Sequence, residues 1–244
     1  MKKGLLFTIL FLFQLNISAQ NATKAQNTEG VVTFEEKINL HRRLEDNAVK
    51  AMIPEFRTSQ MQLFFKGEEC LYKAVEDDDD EETGGNTKVV MKRPQSEIYR
   101  NFATNKRIEQ RDFMGKKYLI EDSIKVRAWK ITGESKKILG YNCLKATFND
   151  TTSRKQNIVV WFTDAIPLAA GPATFGTLPG LILEVNINDS ETVMLAQKVE
   201  FKALKANDFK VPTKGEKISE EDFNKKMEEF IKQNGGRKTR IIRG

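Results

Sequence analysis

The segment between residues 164 and 180 constrains the fold of this chain more than any other. It lies between two short apolar runs, residues 158–162 and 181–185, whose β-branched and aromatic side chains are typical of buried strands. Half of the chain's six prolines fall inside it, at Pro167, Pro172 and Pro179. Because proline has no backbone N–H, the segment cannot be one regular helix or strand. It is therefore a long connection between two strands, which we call the central loop.

The central loop is too apolar to be a solvated linker. Ile166, Leu168, Phe175 and Leu178 favour burial, and Gly171, Gly176 and Gly180 are expected to permit positive φ angles. A loop of this length inside a domain is usually functional. The sequence predicts that it packs onto the protein, either as a plug or as the rim of a site.

Three blocks around this loop resemble the GLPGLI family of exported proteins of Bacteroidota. They are residues 140–146, with Gly140, Tyr141 and Cys143, then residues 160–167, and residues 171–182. The resemblance covers residues 138–186, and its one departure is Thr177, which stands where the family motif begins with glycine. The resemblance implies export, and it implies no particular activity.

The spacing of the remaining apolar runs predicts a mainly β fold. Strand-length runs recur every 8–12 residues or so, with turn residues between them and no alternating helices, which is typical of an antiparallel meander. About eleven strands would curl into a half-barrel or barrel-like sheet, or split into two sheets. Residues 30–234 are predicted to form a single β-rich domain. One of the predicted strands covers residues 87–91 and another residues 126–131, with a turn at 133–135.

A C-terminal amphipathic helix is predicted after Ser219. Ser219 and Asp222 resemble a capping box, and four apolar residues share one helical face: Phe223, Met227, Phe230 and Ile231. We expect this face to pack on the sheet. The alternative is that it docks to a partner or a membrane surface.

The N-terminus has the features of a signal peptide at residues 1–19. Lys2 and Lys3 precede an apolar run at residues 5–13, which is too short to span a bilayer, and cleavage is expected after Ala19. Residues 20–29 are expected to be disordered. No other segment is apolar enough to cross a membrane, so the mature protein is predicted to be periplasmic or secreted.

The chain has a net charge of +6, and its acidic and basic residues are concentrated in different segments. Residues 76–82 are acidic, and residues 235–244 form a basic tail that is expected to be flexible. Contiguous aspartates lack the spacing of a known calcium loop, so no metal site is predicted. A nucleic-acid partner is not expected, because the chain has no basic-aromatic motif, whereas weak attraction to anionic lipid fits the charge.

Export would permit a disulfide between the two cysteines, Cys70 and Cys143. Such a bond would close a long loop and contribute roughly 4 kcal/mol in the chain-entropy model. The alternative is two separate buried thiols that act as small apolar residues.

The residues that usually carry catalysis are scarce. The single histidine, His41, lies beside two arginines near a strand end, and the chain has no nucleophile elbow, zinc motif, P-loop or dinucleotide fingerprint. Asp164 and Glu184 bracket the central loop and could serve a carboxylate-based hydrolase, although pairing of Glu184 with a cationic side chain is the stronger expectation. We therefore predict a protein that is not an enzyme and has no cofactor.

The candidate ligand-binding residues lie in and beside the central loop. If the loop forms a rim, a lipid or other apolar ligand would contact Trp161, Phe162, Pro172, Phe175, Leu178, Pro179 and Gly180. The sequence thus favours an exported, non-enzymatic protein that binds a hydrophobic ligand or an envelope partner. The alternative is an interaction module of an outer-membrane transport or assembly system that holds no small ligand.

Overall fold

The computed structural model describes residues 28–75, 96–151 and 155–234. Several predicted features lie outside these ranges: the signal peptide at 1–19, residues 20–27 of the N-terminal segment, the acidic block at 76–82, the strand at 87–91 and the basic tail at 235–244.

The described residues form one 12-stranded sheet. The strands are β1 (Glu29–Asn39), β2 (Phe56–Lys66), β3 (Glu69–Ala74), β4 (Ser96–Asn101), β5 (Lys106–Phe113), β6 (Lys116–Ser123), β7 (Lys130–Ile138), β8 (Tyr141–Asp150), β9 (Gln156–Thr163), β10 (Leu181–Ile187), β11 (Thr192–Phe201) and β12 (Glu216–Ile218). A short 3₁₀ helix (His41–Arg43) and helix α1 (Asn47–Lys50) connect β1 to β2, and helix α2 (Glu220–Asn234) follows β12.

The sheet is an open, curled meander in the order β12-β6-β5-β4-β3-β2-β1-β11-β10-β9-β8-β7. Among the described strands every neighbouring pair is antiparallel except β12 with β6, and the two edges, β12 and β7, do not pair with each other. Pairing of β1 with β11 joins the N-terminal and C-terminal halves. The predicted mainly β fold with a curled sheet and a C-terminal helix is confirmed.

Alternation along β1 explains why its half of the sheet is buried on both faces. Val32 and Phe34 enter the main core cluster, whereas Val31 on the other face belongs to a second cluster. That second face is covered by the chain after β11, which contributes Leu204, Phe209 and Val211. Each fully buried apolar side chain contributes about 1.5–3 kcal/mol, so this coverage on two sides is a main source of stability.

Helix α2 begins and packs as the sequence predicts. The backbone N–H of Asp222 donates to Ser219 Oγ at 3.0 Å, which caps the helix. Phe223 and Met227 are buried against Tyr118 and Ile120 of β6. The helix therefore covers the β6 end of the sheet.

The predicted strand at 126–131 is wrong in its position. Residues 124–129 have no regular structure, and β7 instead runs from Lys130 to Ile138, through the turn predicted at 133–135. Gly133, with φ of 81°, lies where the register of the β7–β8 pair shifts between Ile131 and Ser135. The strand therefore continues through an irregularity at this glycine, where the sequence predicted a turn. Strand β12 was missed because three residues give no readable period.

Cys70 and Cys143 are free, buried thiols, so the alternative of two separate apolar cysteines describes this structure, and the disulfide does not. Both belong to the main core cluster. Alkylation of denatured, unreduced protein should therefore add two labels per chain, as read by mass spectrometry. A chain that accepts no label without reductant would show that the two thiols pair.

Burial of Cys143 should make stability fall at high pH. Burial raises the pKa of its thiol from 9.0 to about 11. In the unfolded chain the thiol ionises near pH 9.0, whereas in the folded protein it stays neutral until about pH 11. The contribution of the neutral thiol to stability is therefore complete below pH 9 and is lost as the pH rises towards 11. Urea unfolding at about pH 8 and about pH 10.5 should show a steeper loss for the wild type than for Cys143→Ala, and equal losses would contradict this assignment.

No helix in the described ranges is long and apolar enough to cross a membrane.

Candidate functional site

The central loop is an ordered part of the sheet's interior. Strands β9 and β10 hold its ends, where Phe162 pairs with Ile182. The loop then folds back against β10, because the N–H of Ile182 donates to Ala170 O at 2.9 Å. A second internal bond joins Thr177 N–H to Ala169 O at 2.8 Å. These backbone groups of the loop are thus bonded within the protein.

The apolar side chains of the loop fill the space that the sheet curls around. Phe175 and Leu178 are 6% and 3% exposed and pack in one cluster with Phe162 and Ile182. Ile166 and Leu168 enter the main core cluster, which also contains Phe34, Leu63 and Phe65. Of the two predicted arrangements, the plug describes the structure.

The seven predicted ligand residues are not all buried together. Phe162, Pro172, Phe175, Leu178 and Gly180 are buried, Trp161 is half-buried and Pro179 is exposed. The ring of Trp161 lies beneath Lys136, whose Nζ is 4.4 Å from the ring centroid. The buried members contact one another and the strands.

Three side chains from distant parts of the sequence hold the loop by its backbone carbonyls. Arg100 of β4 donates from Nη1 to Phe175 O at 2.5 Å and from Nη2 to Gly171 O at 2.6 Å. Arg127 donates to Thr174 O at 2.8 Å, and Trp129 Nε1 donates to Gly176 O at 2.9 Å. We call Arg100, Arg127 and Trp129 the loop clamp.

The contact made by Arg100 also measures how strongly the sheet curls. Strands β4 and β9 are six places apart in the strand order. At ~4.8 Å per strand that is about 29 Å along the sheet. One arginine side chain nevertheless reaches the loop that leaves β9. The two halves of the sheet therefore face each other across the loop.

Arg100 carries its charge in the protein interior. It is 1% exposed, lies 5.7 Å from the ring of Phe102, and contacts Cys70. Burial raises the pKa of the Cys70 thiol, and the Arg100 guanidinium offsets part of that rise. Burying a cation is costly unless it is hydrogen-bonded, so the two loop carbonyls are what make this position tolerable.

The family to which the chain belongs follows from a match across this region. The family model described as N-glycanase peptide, N-terminal domain, matches residues 78–223, which is more than half of the 244-residue chain. The chain belongs to this family. The matched range contains the central loop and all three residues of the loop clamp. No curated protein matches the chain.

Two solved structures of PNGF-II have a similar fold. The structure in space group P21 superposes on this chain with a TM-score of 0.55 at 19% identity. The matched region covers 81% of this chain and 32% of the PNGF-II chain. The structure in space group C2 gives a TM-score of 0.56 at 18% identity with the same coverage, 81% and 32%. The chain thus spans about a third of the length of PNGF-II. At this level of identity, the likeness shows the fold alone.

In this family member, the loop glycines are needed more for close packing than for positive φ angles. Of the three loop glycines that permit a positive φ angle, only Gly180 adopts one, with φ of 158°. A Cβ on Gly171 would lie 2.7 Å from Cβ of Ile182, and one on Gly176 would lie 2.6 Å from Ala169 O. These glycines let the loop approach β10 and itself.

Thr177 adopts the backbone conformation that favours glycine, with φ of 66°. A residue with a side chain pays about 1–2 kcal/mol there, while glycine loses roughly 0.5–1 kcal/mol more entropy on folding. Thr177→Gly should therefore leave the free energy of unfolding nearly unchanged, because the relieved strain offsets both the entropy loss and the lost bond from Thr177 Oγ1 to Gly176 O, which contributes about 0.5–1.5 kcal/mol. Urea unfolding measures the change.

The matched control for that substitution is Thr58→Gly. Thr58 is exposed in the regular strand β2, where glycine should lower stability by roughly 0.5–1 kcal/mol. Equal destabilisation by both substitutions would show that the conformation of Thr177 carries no strain.

Of the two carboxylates that bracket the loop in this family member, one is in an ion pair and the other is exposed. Glu184 is 15% exposed in its side chain and pairs with Lys136 Nζ at 2.6 Å, so the predicted pairing with a cation is confirmed. Asp164 is exposed. His41 lies elsewhere, with Nε2 3.0 Å from Ile53 O. In the described part of the chain, no group of three or more His, Cys, Asp or Glu side chains could hold a metal ion.

The loop clamp is the feature that sequence reasoning missed. One local signal existed, since alternation places Arg100 on the same face of β4 as the buried Ile98. A cation on the apolar face of a strand needs an interior partner. Arg127 and Trp129 gave no such signal, because they were assigned to a strand that does not form there.

Proposed function

We propose that this chain is an exported, non-enzymatic interaction module that recognises a partner protein of the cell envelope. The observation that carries the proposal is that the loop's own Ile166, Leu168, Phe175 and Leu178 occupy the space inside the curled sheet. The clamp holds the loop there with bonds to four carbonyls. A molecule that binds this protein therefore meets its outer surface.

Membership of a family described as an N-terminal domain supports the same role. A domain defined by its place in a longer protein works beside another component, and the chain spans 32% of PNGF-II. This fits the proposal that the chain works beside an envelope protein.

The arrangement of the acidic side chains supports a role without catalysis. A carboxylate-based hydrolase needs two carboxyl groups free to act on one bond. Glu184 is held by Lys136, and its partner in such a dyad, Asp164, lies at the surface. This leaves surface recognition as the function that the geometry supports best.

Export, and kinship with the GLPGLI family, are part of the proposal. The φ of 66° at Thr177 supports that kinship, because glycine is the residue this conformation favours, and the motif has glycine at that position. Export is supported by the composition of residues 1–19. N-terminal sequencing of protein from its own host should read from Gln20, and an intact Met1 would contradict export.

Native mass spectrometry of the protein purified from its own host tests the proposed function. We expect the mass of the bare mature chain, together with a second species in which an envelope protein is bound. A stoichiometric lipid or other apolar adduct that dissociates on unfolding would overturn the proposal in favour of a ligand carrier. Delipidated protein re-exposed to host lipid is the control for adducts lost in purification.

A further inference from the structure

The two edges of the sheet differ in how they are protected. At one edge lies β12, a strand of three residues that pairs with β6, beside which helix α2 packs. The other edge is β7, which has nine residues, and the first six are all exposed. Among the described strands β7 pairs only with β8. A long exposed edge presents unpaired backbone donors and acceptors to any extended chain.

One face of this edge continues the apolar core into solvent. Leu144 pairs with Phe162 on β9, and Ala146 two residues later pairs with Ile131 on β7, so these side chains share a face. Phe162 and Ala146 are buried, whereas Leu144 is 38% and Ile131 48% exposed. The apolar face thus extends from the buried core to the β7 edge, where its last side chains are exposed to solvent.

The opposite face of the edge offers one exposed lysine, Lys130, beside Lys136, which is paired with Glu184. Lys130 pairs with Thr147 and Lys136 with Cys143, which places both lysines on the face away from Ile131. Strand β7 as a whole carries three lysines and one glutamate. A second copy of β7 would bring like charges together, so self-pairing is disfavoured.

We propose that β7 is the docking edge for an extended segment of a partner protein in which apolar residues alternate with acidic ones. The segment adds as a thirteenth strand next to β7, with its backbone bonded to the free edge. Its apolar side chains cover Ile131 and Leu144, and its carboxylates face the exposed Lys130, while Lys136 stays paired with Glu184. This inference rests on the proposed function and gives it a surface and a partner chemistry.

The test uses a labelled synthetic peptide of alternating valine and glutamate, with alternating valine and lysine as the control peptide. We expect the mature protein to bind only the acidic peptide, more weakly as salt is added. Hydrogen exchange should then slow in β7 and β8 and stay unchanged in the rest of the protein. Binding should weaken about five- to tenfold in Lys130→Glu, since opposite charges across strands become like charges.

Lys217→Glu is the matched control variant, because Lys217 is an exposed lysine on the other edge strand, β12. It should bind the acidic peptide as the wild type does. Equal weakening in both variants, protection away from β7, or no binding at all would overturn the inference. A dimer that protects β7 without peptide would overturn it in favour of self-pairing.

The two proposals fail in different experiments. A bound lipid in the native mass spectrum overturns the proposed function, and the edge inference falls with it. A clean native mass together with a negative peptide experiment overturns the edge inference alone.

Discussion

Gly180→Val should abolish cooperative folding of this protein. A Cβ on Gly180 would lie 2.7 Å from the carbonyl carbon of Thr163 and 3.0 Å from Cα of Asp164, and it would also collide with the Thr163 oxygen. These are backbone atoms at the point where the loop leaves β9, so they cannot rotate away. The cost should exceed about 4 kcal/mol, a large part of the 5–15 kcal/mol that stabilises a typical domain. Circular dichroism and urea unfolding measure the loss.

Gly140→Ala separates this collision from ordinary backbone strain. Gly140 has φ of 84°, and an added Cβ would meet nothing within 4 Å. The substitution should destabilise the protein by only about 1–2 kcal/mol, as is usual for a side chain in a left-handed conformation. Gly180→Val with an unfolding curve like that of Gly140→Ala would contradict the close approach of the loop to Thr163.

Arg100→Met should have the second-largest effect, with a loss of about 3 kcal/mol. The substitution leaves the carbonyls of Gly171 and Phe175 without their donor inside the protein. Each bond from a charged group contributes about 1.5–3 kcal/mol, and removal of a buried charge returns part of that loss. Urea unfolding gives the total, and hydrogen exchange should show faster opening of residues 164–180.

Arg42→Met is the control for that substitution. Arg42 also donates to a backbone carbonyl, that of Asp189, but the bond is exposed. Its loss should change stability by no more than about 0.5 kcal/mol. If Arg100→Met were as stable as Arg42→Met, with unchanged exchange in the loop, then Arg100 would not hold the loop in place.

The parts of this fold that sequence reasoning predicts are those with local causes. Proline and glycine mark the central loop, the hydroxyl of Ser219 marks the start of α2, and alternation marks β1 and the β2–β3 hairpin. The burial of the loop was also predictable, because Phe175 and Leu178 have no polar reason to face water.

The parts that it missed depend on contacts between distant residues. Arg100 lies 75 positions before its acceptor Phe175, and no local pattern joins them. Residues 126–129 have strand-like composition, yet Arg127 and Trp129 donate to the loop instead of pairing in the sheet. Such tertiary contacts override a weak local preference.

The same limit of single-sequence reading explains why it noticed the GLPGLI motif and did not detect the N-glycanase N-terminal domain family. The resemblance to the GLPGLI family rests on residues 138–186, which are dense in glycine and proline. The N-glycanase N-terminal domain family matches residues 78–223, which includes β4 to β6 with their Arg100. Those strands carry charged and apolar residues in an ordinary alternation, so single-sequence reading found no motif in them.

Hydrogen exchange at two amides, those of Thr177 and Ile182, tests the central claim most directly. Both donate inside the loop region, to Ala169 O at 2.8 Å and to Ala170 O at 2.9 Å. If the loop fills the curled sheet, these amides should exchange only when the whole domain unfolds, at the same free energy as the amides of β1. Exchange of Thr177 and Ile182 at the rate of a solvated loop, while β1 stays protected, would contradict the account.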